Sequence, residues 1–572
     1  MSEIKTNTLW TRWEEIAAKH PDREAIVHWV AGEEPIRWTY KSLIETAKKF
    51  SVQIKKMGIK PGDVCAIIIR HNPYFYPLYL GISRTGALPA VLAYPNPRLH
   101  PDKFRHGLEG MSQRSGLDYI LTEKALEPVV KPLVEKEGST IKSMFFPLEW
   151  NINESLDEKI DAAIDAINKS IPSTAPILLQ HSSGTTGLQK PVVLSHKAIL
   201  NHVDCLGGAI QIREGDKIAS WLPLYHDFGL IFAFQIALAS GITLIQLDPF
   251  EWVLAPIIHL EAITKEKATL AGLPNFAYNI YSEKIHDDEL SEIDLSSVRM
   301  FINAAEPVRH DSHERFLAKY KKYGFKESAI GAMYGMAEAT LGVVLTTPGM
   351  PPKEVVVDRN ELSRGYMKFA DDDSVKRVCV SSGRVIKGCD AKVVDENRKE
   401  IADGLVGEIA VTSISLFDGY RNYPEKTAEV VADNWYYSGD YGFRWEGEFY
   451  VIGRKKDIII VAGKNIYPED IEDAMNNVPG VIHGRIIAFG EEDSDMGTEQ
   501  VAVVAEVDDQ SEEAKKKVRL DILKAGMSID INIHKVYLVP PRWLIKSSSG
   551  KPSRKTNKER ILEGNDQQVW SR

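Results

Sequence analysis

The sequence predicts an α/β fold in several parts, on three observations. The chain has 572 residues, more than a single hydrophobic core accommodates. Across residues 61–247, apolar runs such as "VCAIII", "ALPAVLAY", "PILLQ" and "ITLIQL" alternate with helix-like segments, and the helix-like "LIETAKKFSVQIKKMG" (43–58) precedes them. That alternation is the pattern of a mostly parallel sheet covered by helices on both faces. Beyond residue 350 the texture changes twice. Residues 350–454 carry shorter strands, turns and charge, as in "ADDDSVKR", which predicts a small β-rich subdomain. After Arg454 strands and helices alternate again in a compact α+β arrangement.

In chain order, the N-terminus "MSEIKTNTLWTRWEEIAAKHPDREAIVHW" carries charge throughout, where a signal peptide needs an uninterrupted apolar core. Residues 228–247 are uncharged and long enough to span a membrane, but they contain Gln235, Ser240, Gly241, Thr243 and Gln246. They divide into a helix ending at Ala239, a turn and the strand "ITLIQL", a buried core rather than a span. "PFEWVLAPIIHLEAITKEKA" reads as the next helical segment. In the last part, Pro468 opens a helix in "YPEDIEDAMNNV", "GRIIAFG" and "QVAVVAEV" are strands, "SEEAKKKVRLDILKAG" is a charged helix and "VYLVPP" a strand.

A net charge of −10 argues against nonspecific nucleic-acid binding, which needs clustered positive charge. The four cysteines, Cys65, Cys205, Cys379 and Cys389, lack CxxC spacing, so neither a zinc ribbon nor a disulfide framework is indicated. This fits a reducing compartment, the cytoplasm. His310 and His313 have a metal-like spacing, but "VRHDSHERFLAKY" reads better as a polar helix start.

The stretch "QHSSGTTGLQKP" (180–191) is rich in glycine and hydroxyls and closes on Lys190. A Walker loop has glycine directly before its lysine, Ser or Thr after it, and a helix beginning there. Here Gln189 precedes Lys190, Pro191 follows, and "PVVL" is β-branched and apolar. The loop therefore joins two strands. Phosphate would be held by loop N–H groups, the hydroxyls of Ser182, Ser183, Thr185 and Thr186, and the Lys190 charge. Alone, the stretch reads equally well as a polar hairpin.

Further motifs follow in order: "WLPLYHDFGL" (221–230), "AGLPNFAY" (271–278), "NAAEP" (303–307), "YGMAEA" (334–339), "YSGD" (437–440), "GRKKDIIIVAGKNIYPEDIE" (453–472) and "SSSGKPSR" (547–554). With the opening loop, the series resembles the adenylate-forming superfamily of acyl-CoA synthetases, nonribosomal peptide adenylation domains and luciferases. The resemblance implies a large N-terminal domain, residues 1–455, of stacked parallel-sheet α/β subdomains with a β-rich subdomain at about 351–455. A small mobile α+β C-terminal domain, residues 456–572, would carry the catalytic lysine.

The same resemblance implies roles. Ser183, Gly184, Thr185, Thr186, Gly187 and Lys190 would close over the β- and γ-phosphates of ATP. Tyr334 would stack on adenine, with Ala304, Ala305 and Glu306 lining the purine site. Asp440 and Arg454 would bind the ribose hydroxyls, and Glu338 would be the Mg²⁺ ligand, a hard carboxylate for a hard cation. Lys551 would swing in to bridge the attacking carboxylate and the α-phosphate. Lys456 matches the hinge, and His226 the mouth of the acyl pocket. Phe276, Met333 and Met336 stand as apolar pocket walls or as ordinary core.

Pro191 departs from the family's usual glycine and removes one N–H, and His181 departs with it. The path from Tyr334 to "SSG" (381–383) is long, and its "FADD" and "VSSG" elements look like the insertion of fatty acyl-AMP ligases, which hinders C-terminal rotation. The expected activity is ATP- and Mg²⁺-dependent conversion of a carboxylic acid, a medium- or long-chain fatty acid, to acyl-AMP, then transfer to the phosphopantetheine thiol of an acyl carrier protein. An acyl-CoA synthetase using coenzyme A is the alternative, and a non-catalytic acyl-adenylate-binding protein ranks third. The basic stretch 554–560 is an expected docking surface for an acidic carrier.

Overall fold

The computed structural model describes residues 8–95, 101–182, 189–461, 464–493, 498–546, 552–564 and 569–571. The largest sheet among them has nine strands, in the order Arg384–Val385, Gly342–Leu345, Ile330–Gly335, Met300–Asn303, Leu270–Leu273, Lys217–Ser220, Thr243–Gln246, Glu24–His28, Ile36–Thr39. Its six central strands, from Ile330–Gly335 to Glu24–His28, are parallel, and antiparallel neighbours flank them. A second, all-parallel sheet pairs Leu88–Val91, Val64–Ile68, Tyr119–Thr122 and Ser143–Phe145. The strand "VCAII" is buried at every position, as helices on both faces require.

Residues 228–247 are core, with a detail that periodicity did not reveal. Phe228–Gln235 is a π-helix, Ile236–Ser240 an α-helix, and Gly241 caps it at φ 74° before the strand Thr243–Gln246. "PFEWVLAPIIHLEAITKEKA" is two helices rather than one, Pro249–Leu254 and Ile257–Glu266. Pro256 lacks the N–H the helix needs and disfavours helical backbone at Ala255. No described helix is long and apolar enough to cross a membrane.

The β-rich part is an antiparallel sheet of Cys389–Val394, Gly407–Ser413, Trp435–Trp445, Val431–Ala432 and Glu448–Arg454. Its expected start near residue 351 needs correction, because Arg384–Val385 belongs to the nine-stranded sheet through Leu345. Residues 351–380 form a hairpin of Glu354–Asp358 and Lys376–Val380. Its Val357 and Leu362 pack with Phe443, Tyr450 and Ile452, and also with Tyr467 of the part after Arg454.

After Arg454, the sheet Val481–Asp493, Thr498–Val507, Ile533–Val539, Trp570–Ser571 carries the helices Pro468–Asn476, Glu512–Ser528 and Arg554–Leu562. Ile459, Ile471, Met475, Val503 and Leu538 centre an apolar cluster of their own there.

Candidate active site

The loop of residues 180–191 joins two antiparallel strands, Pro176–Ser182 and Lys190–Ser195, with no helix after the lysine. Ser183, Gly184, Thr185, Thr186 and Gly187 lie outside the described residues. Pro191 fits for a geometric reason. Val193 N–H donates to Gly419 O and Val193 O accepts from Asp418, so this strand's odd positions face residues 418–421 rather than the hairpin partner. Pro191 O accepts from Arg421 N–H on that same side. The missing proline N–H therefore leaves the hairpin's own ladder intact.

Lys190 points back over this edge. Its Nζ donates to the Tyr420 hydroxyl at 3.4 Å and sits 4.9 Å from the Tyr420 ring centroid. The same hydroxyl donates to Glu338 Oε1 at 2.6 Å. Glu338 occupies the one-turn helix Ala337–Ala339 and is buried, with Phe417 N–H held on its carbonyl. The turn needs Gly335, since a Cβ there would lie 1.8 Å from Leu341 O. Tyr420 joins the loop lysine to the expected metal carboxylate, and the sequence did not single it out. In "DGYRNYPEKT" it is one aromatic among several, and only the crossing of residues 418–421 onto the hairpin gives it this place.

Tyr334, Asp440 and Arg454 come together. The Tyr334 phenol donates to Asp440 Oδ2 at 3.0 Å, and Arg454 Nε lies 3.1 Å from Asp440 Oδ1. Asp440 and Arg454 are direct cross-strand partners. The Asp440 charge raises the Arg454 pKa, and burial, then Asp440, pushes the Tyr334 phenol well above its ordinary value. Ala304, Ala305 and Glu306 follow the strand Met300–Asn303, with Ala305 at φ 67°. Glu306 Oε2 accepts from Phe276 N–H at 3.0 Å, a carboxylate at the first turn of the helix Asn275–Lys284.

Phe276 is half-buried and stands edge-on to Trp221 and Trp252, which stack at 3.6 Å. Beneath them the Tyr281 hydroxyl accepts from both indole N–H groups, at 3.1 and 2.9 Å, and lies 2.8 Å from His259 Nδ1. His226 is half-buried beside Tyr225, one residue before the Asp227 cap of the π-helix segment. Gly229 is required there, since a Cβ would meet Pro223 O at 2.3 Å. Met336 is half-buried, while Met333 is buried with its sulfur against Gly342.

Lys456 has an exposed side chain but stands among protein atoms beside Arg454 and Lys190, and burial first, then Arg454, lowers its pKa to about 8. Lys551 lies outside the described residues. The stem of its loop is described: Lys546 bridges to Pro552, and the Glu306 carboxylate is among the charges acting on Lys546. The stem therefore lies toward Glu306.

The basic stretch 554–560 is not the open surface expected of it. Arg554 is held by Asp457, Glu469 and Glu472, at 2.9, 2.7 and 2.6 Å. Arg560 lies over the Trp543 ring and donates to its carbonyl, and Lys555 faces Glu559. Arg554 and Arg560 are thus engaged within the protein, while Lys555 and Glu559 are exposed. His310 bonds to Glu354 and His313 to Asn303, and among the described residues no group of three or more His, Cys, Asp or Glu could hold a metal. The four cysteines are free.

The family of AMP-binding enzymes matches residues 13–421. The 4-hydroxyphenylalkanoate adenylyltransferase of Mycobacterium tuberculosis (strain ATCC 25618 / H37Rv) is 28% identical, covering 88% of this chain and 82% of that one. The medium-chain-fatty-acid–[acyl-carrier-protein] ligase JamA of Moorena producens is 28% identical, over 92% of this chain and 90% of the other. The structure of the L. pneumophila fatty acyl-adenylate ligase, in complex with acyl adenylate and pyrophosphate, superposes at TM-score 0.74 with 27% identity, covering 100% of this chain and 98% of that one. Since the match runs from the first helix through the hairpin and the Tyr334 strand to Arg421, this chain belongs to the AMP-binding enzyme family.

Proposed function

We propose that the protein uses ATP and Mg²⁺ to convert an apolar carboxylic acid, a medium- or long-chain fatty acid, to acyl-AMP, and then passes the acyl group to the phosphopantetheine thiol of an acyl carrier protein. The observation that carries the reading is the meeting of Lys190 and Glu338 at Tyr420, beside a hairpin whose loop is rich in hydroxyls and glycine. Tyr334, Asp440 and Arg454 supply the adenosine side, with Ala304, Ala305 and Glu306 along the purine edge. Glu338 fits a cation on its chemistry. It is a buried carboxylate that makes hydrogen bonds but no ion pair among the described residues. With no metal-holding cluster among the described residues to complete a shell, the cation would be shared with phosphate oxygens. Bound there, Mg²⁺ would supply charge neutralisation on the phosphates.

In the first half-reaction the carboxylate oxygen attacks the α-phosphorus and the bond to the pyrophosphate oxygen breaks. Lys190 and the loop hydroxyls hold the β- and γ-phosphates, and Lys551 offsets the charge where the two anions approach. His226 stands at the acyl mouth, with Phe276, Met333 and Met336 as apolar wall. In the second, the thiol sulfur attacks the acyl carbon and AMP leaves. Lys456 is the hinge between the two geometries.

Among relatives, JamA is named for a medium-chain fatty acid and a carrier protein, and the first relative for a 4-hydroxyphenylalkanoate. The stacked Trp221–Trp252 pair edge-on to Phe276 favours a second substrate reading, an arylalkanoic acid. Pyrophosphate release with a panel of alkanoic and arylalkanoic acids tests both. Release that depends on no acid would overturn the reading.

A further inference from the structure

Lys190 and Glu338 carry opposite charges, are close neighbours through one phenol, and form no direct ion pair among the described residues. Left to themselves, a buried carboxylate and a nearby ammonium would pair. That would occupy both groups that the proposed reaction needs, one for phosphate and one for a cation. The Tyr420 side chain stands between them.

Its placement is rigid. The backbone of residues 418–421 is stitched to the lysine's own strand by three hydrogen bonds, Val193 to Gly419 at 3.1 Å, Asp418 to Val193 at 2.9 Å and Arg421 to Pro191 at 2.9 Å. Tyr420 N–H also donates to Thr427 Oγ1 at 2.9 Å. On the other side, Phe417 N–H donates to Glu338 O at 2.8 Å, and Thr340 Oγ1 donates to Ser415 O at 2.6 Å. One six-residue stretch, 415–420, thus grips the main chain around Glu338 and, through Tyr420, its carboxylate. Tyr420 itself is buried, packed against Phe417.

We propose that Tyr420 is a positioning residue that keeps Lys190 and Glu338 adjacent but unpaired, so that the ammonium is free for nucleotide phosphate and the carboxylate for a divalent cation. The phenol donates its single hydrogen to one carboxylate oxygen, and a carboxylate with about four acceptor positions can still take a cation. The phenol oxygen accepts from the ammonium, and the ring face offers it a resting place that a phosphate oxygen readily outcompetes. The inference rests on the reading of Glu338 as the cation ligand.

The test is direct binding rather than turnover. Mn²⁺ affinity, by electron paramagnetic resonance with a non-hydrolysable ATP analogue present, and metal-free analogue affinity, by calorimetry, are measured on the full chain and on Y420F, Y420A and E338Q. Circular dichroism checks that each is folded. Y420F keeps the ring and loses the hydroxyl. It is expected to weaken Mn²⁺ by roughly three- to tenfold, the scale of one hydrogen bond, with metal-free analogue affinity within about twofold of the parent. Y420A, where the two charges collapse together, is expected to lose both affinities. If E338Q weakens Mn²⁺ while Y420F and Y420A do not, the inference is overturned and the metal reading survives. If E338Q leaves Mn²⁺ affinity unchanged, the metal reading fails and takes the inference with it.

Discussion

Arg377, on the hairpin of residues 351–380, donates to Asp470 at 2.9 Å, and both side chains are buried. Asp470 belongs to the helix Pro468–Asn476, so the pair crosses from the larger part of the chain to the part after Arg454. Arg309 adds a second crossing contact, to Glu469 O at 3.1 Å and to Asp473. Breaking a buried pair from one side leaves an uncompensated charge and costs about 3–5 kcal/mol. Arg377→Ala should therefore favour release of this helix and raise the ratio of acyl-CoA to acyl-AMP formed, with adenylation little changed. An unaltered ratio would mean the hairpin does not restrict rotation.

Lys551→Ala should suppress acyl-AMP formation by about 100-fold or more, the scale for one charged stabiliser of developing charge. ATP affinity should be nearly unchanged, because the proposed adenosine groups Tyr334, Asp440 and Arg454 are held by one another. Single-turnover adenylation beside equilibrium ATP binding separates the two effects.

Tyr281→Phe should destabilise the protein without touching the phosphate site. The hydroxyl it removes serves Trp221, Trp252 and His259 together, all buried. Unsatisfied buried groups cost about 1–3 kcal/mol each, so a loss on the order of 2–5 kcal/mol is expected in denaturant unfolding. A loss below about 1 kcal/mol would show that these groups find other partners.

Much of this site is legible in the sequence, because its chemistry sits on short motifs whose residue types have few other uses. Tyr334, Asp440 and Arg454 come from three separate motifs and meet in the fold, and the β-branched "PVVL" correctly predicts a hairpin rather than a helix. What the sequence hides is long-range. Tyr420 acquires its partners only because residues 418–421 cross onto the hairpin, and nothing in the local pattern signals that crossing. Arg554 reads as surface charge because the carboxylates around it, on Asp457, Glu469 and Glu472, come from far earlier in the chain. The π-helix of residues 228–235 is hidden because its face is apolar all round and carries no periodic stripe.

Acid should weaken the fold in a defined window. Burial lowers His181 to about 4, His202 and His313 to about 3 and His259 to about 4, so the folded chain holds these imidazoles neutral. A lowered folded pKa gives stability that is present above the unfolded value, near 6.5, and lost as pH falls toward the folded one. Unfolding free energy should therefore drop between about pH 6.5 and 4, with protons taken up on unfolding. His181→Gln, which can still bond Ser115, should flatten part of that slope. An identical slope in parent and variant would contradict the buried neutral state.

The most direct test of the central claim is one assay with three arms. Acyl-AMP, acyl-thioester and pyrophosphate are followed together for the intact chain with ATP, Mg²⁺ and a medium-chain fatty acid, without acceptor, with coenzyme A, or with a phosphopantetheine-loaded carrier protein. The account predicts acid-dependent pyrophosphate release and acyl-AMP accumulation in the first arm, little acyl-CoA in the second and rapid thioester formation in the third. Coenzyme A converted as fast as acyl-AMP forms, with the loaded carrier left unacylated, would contradict it.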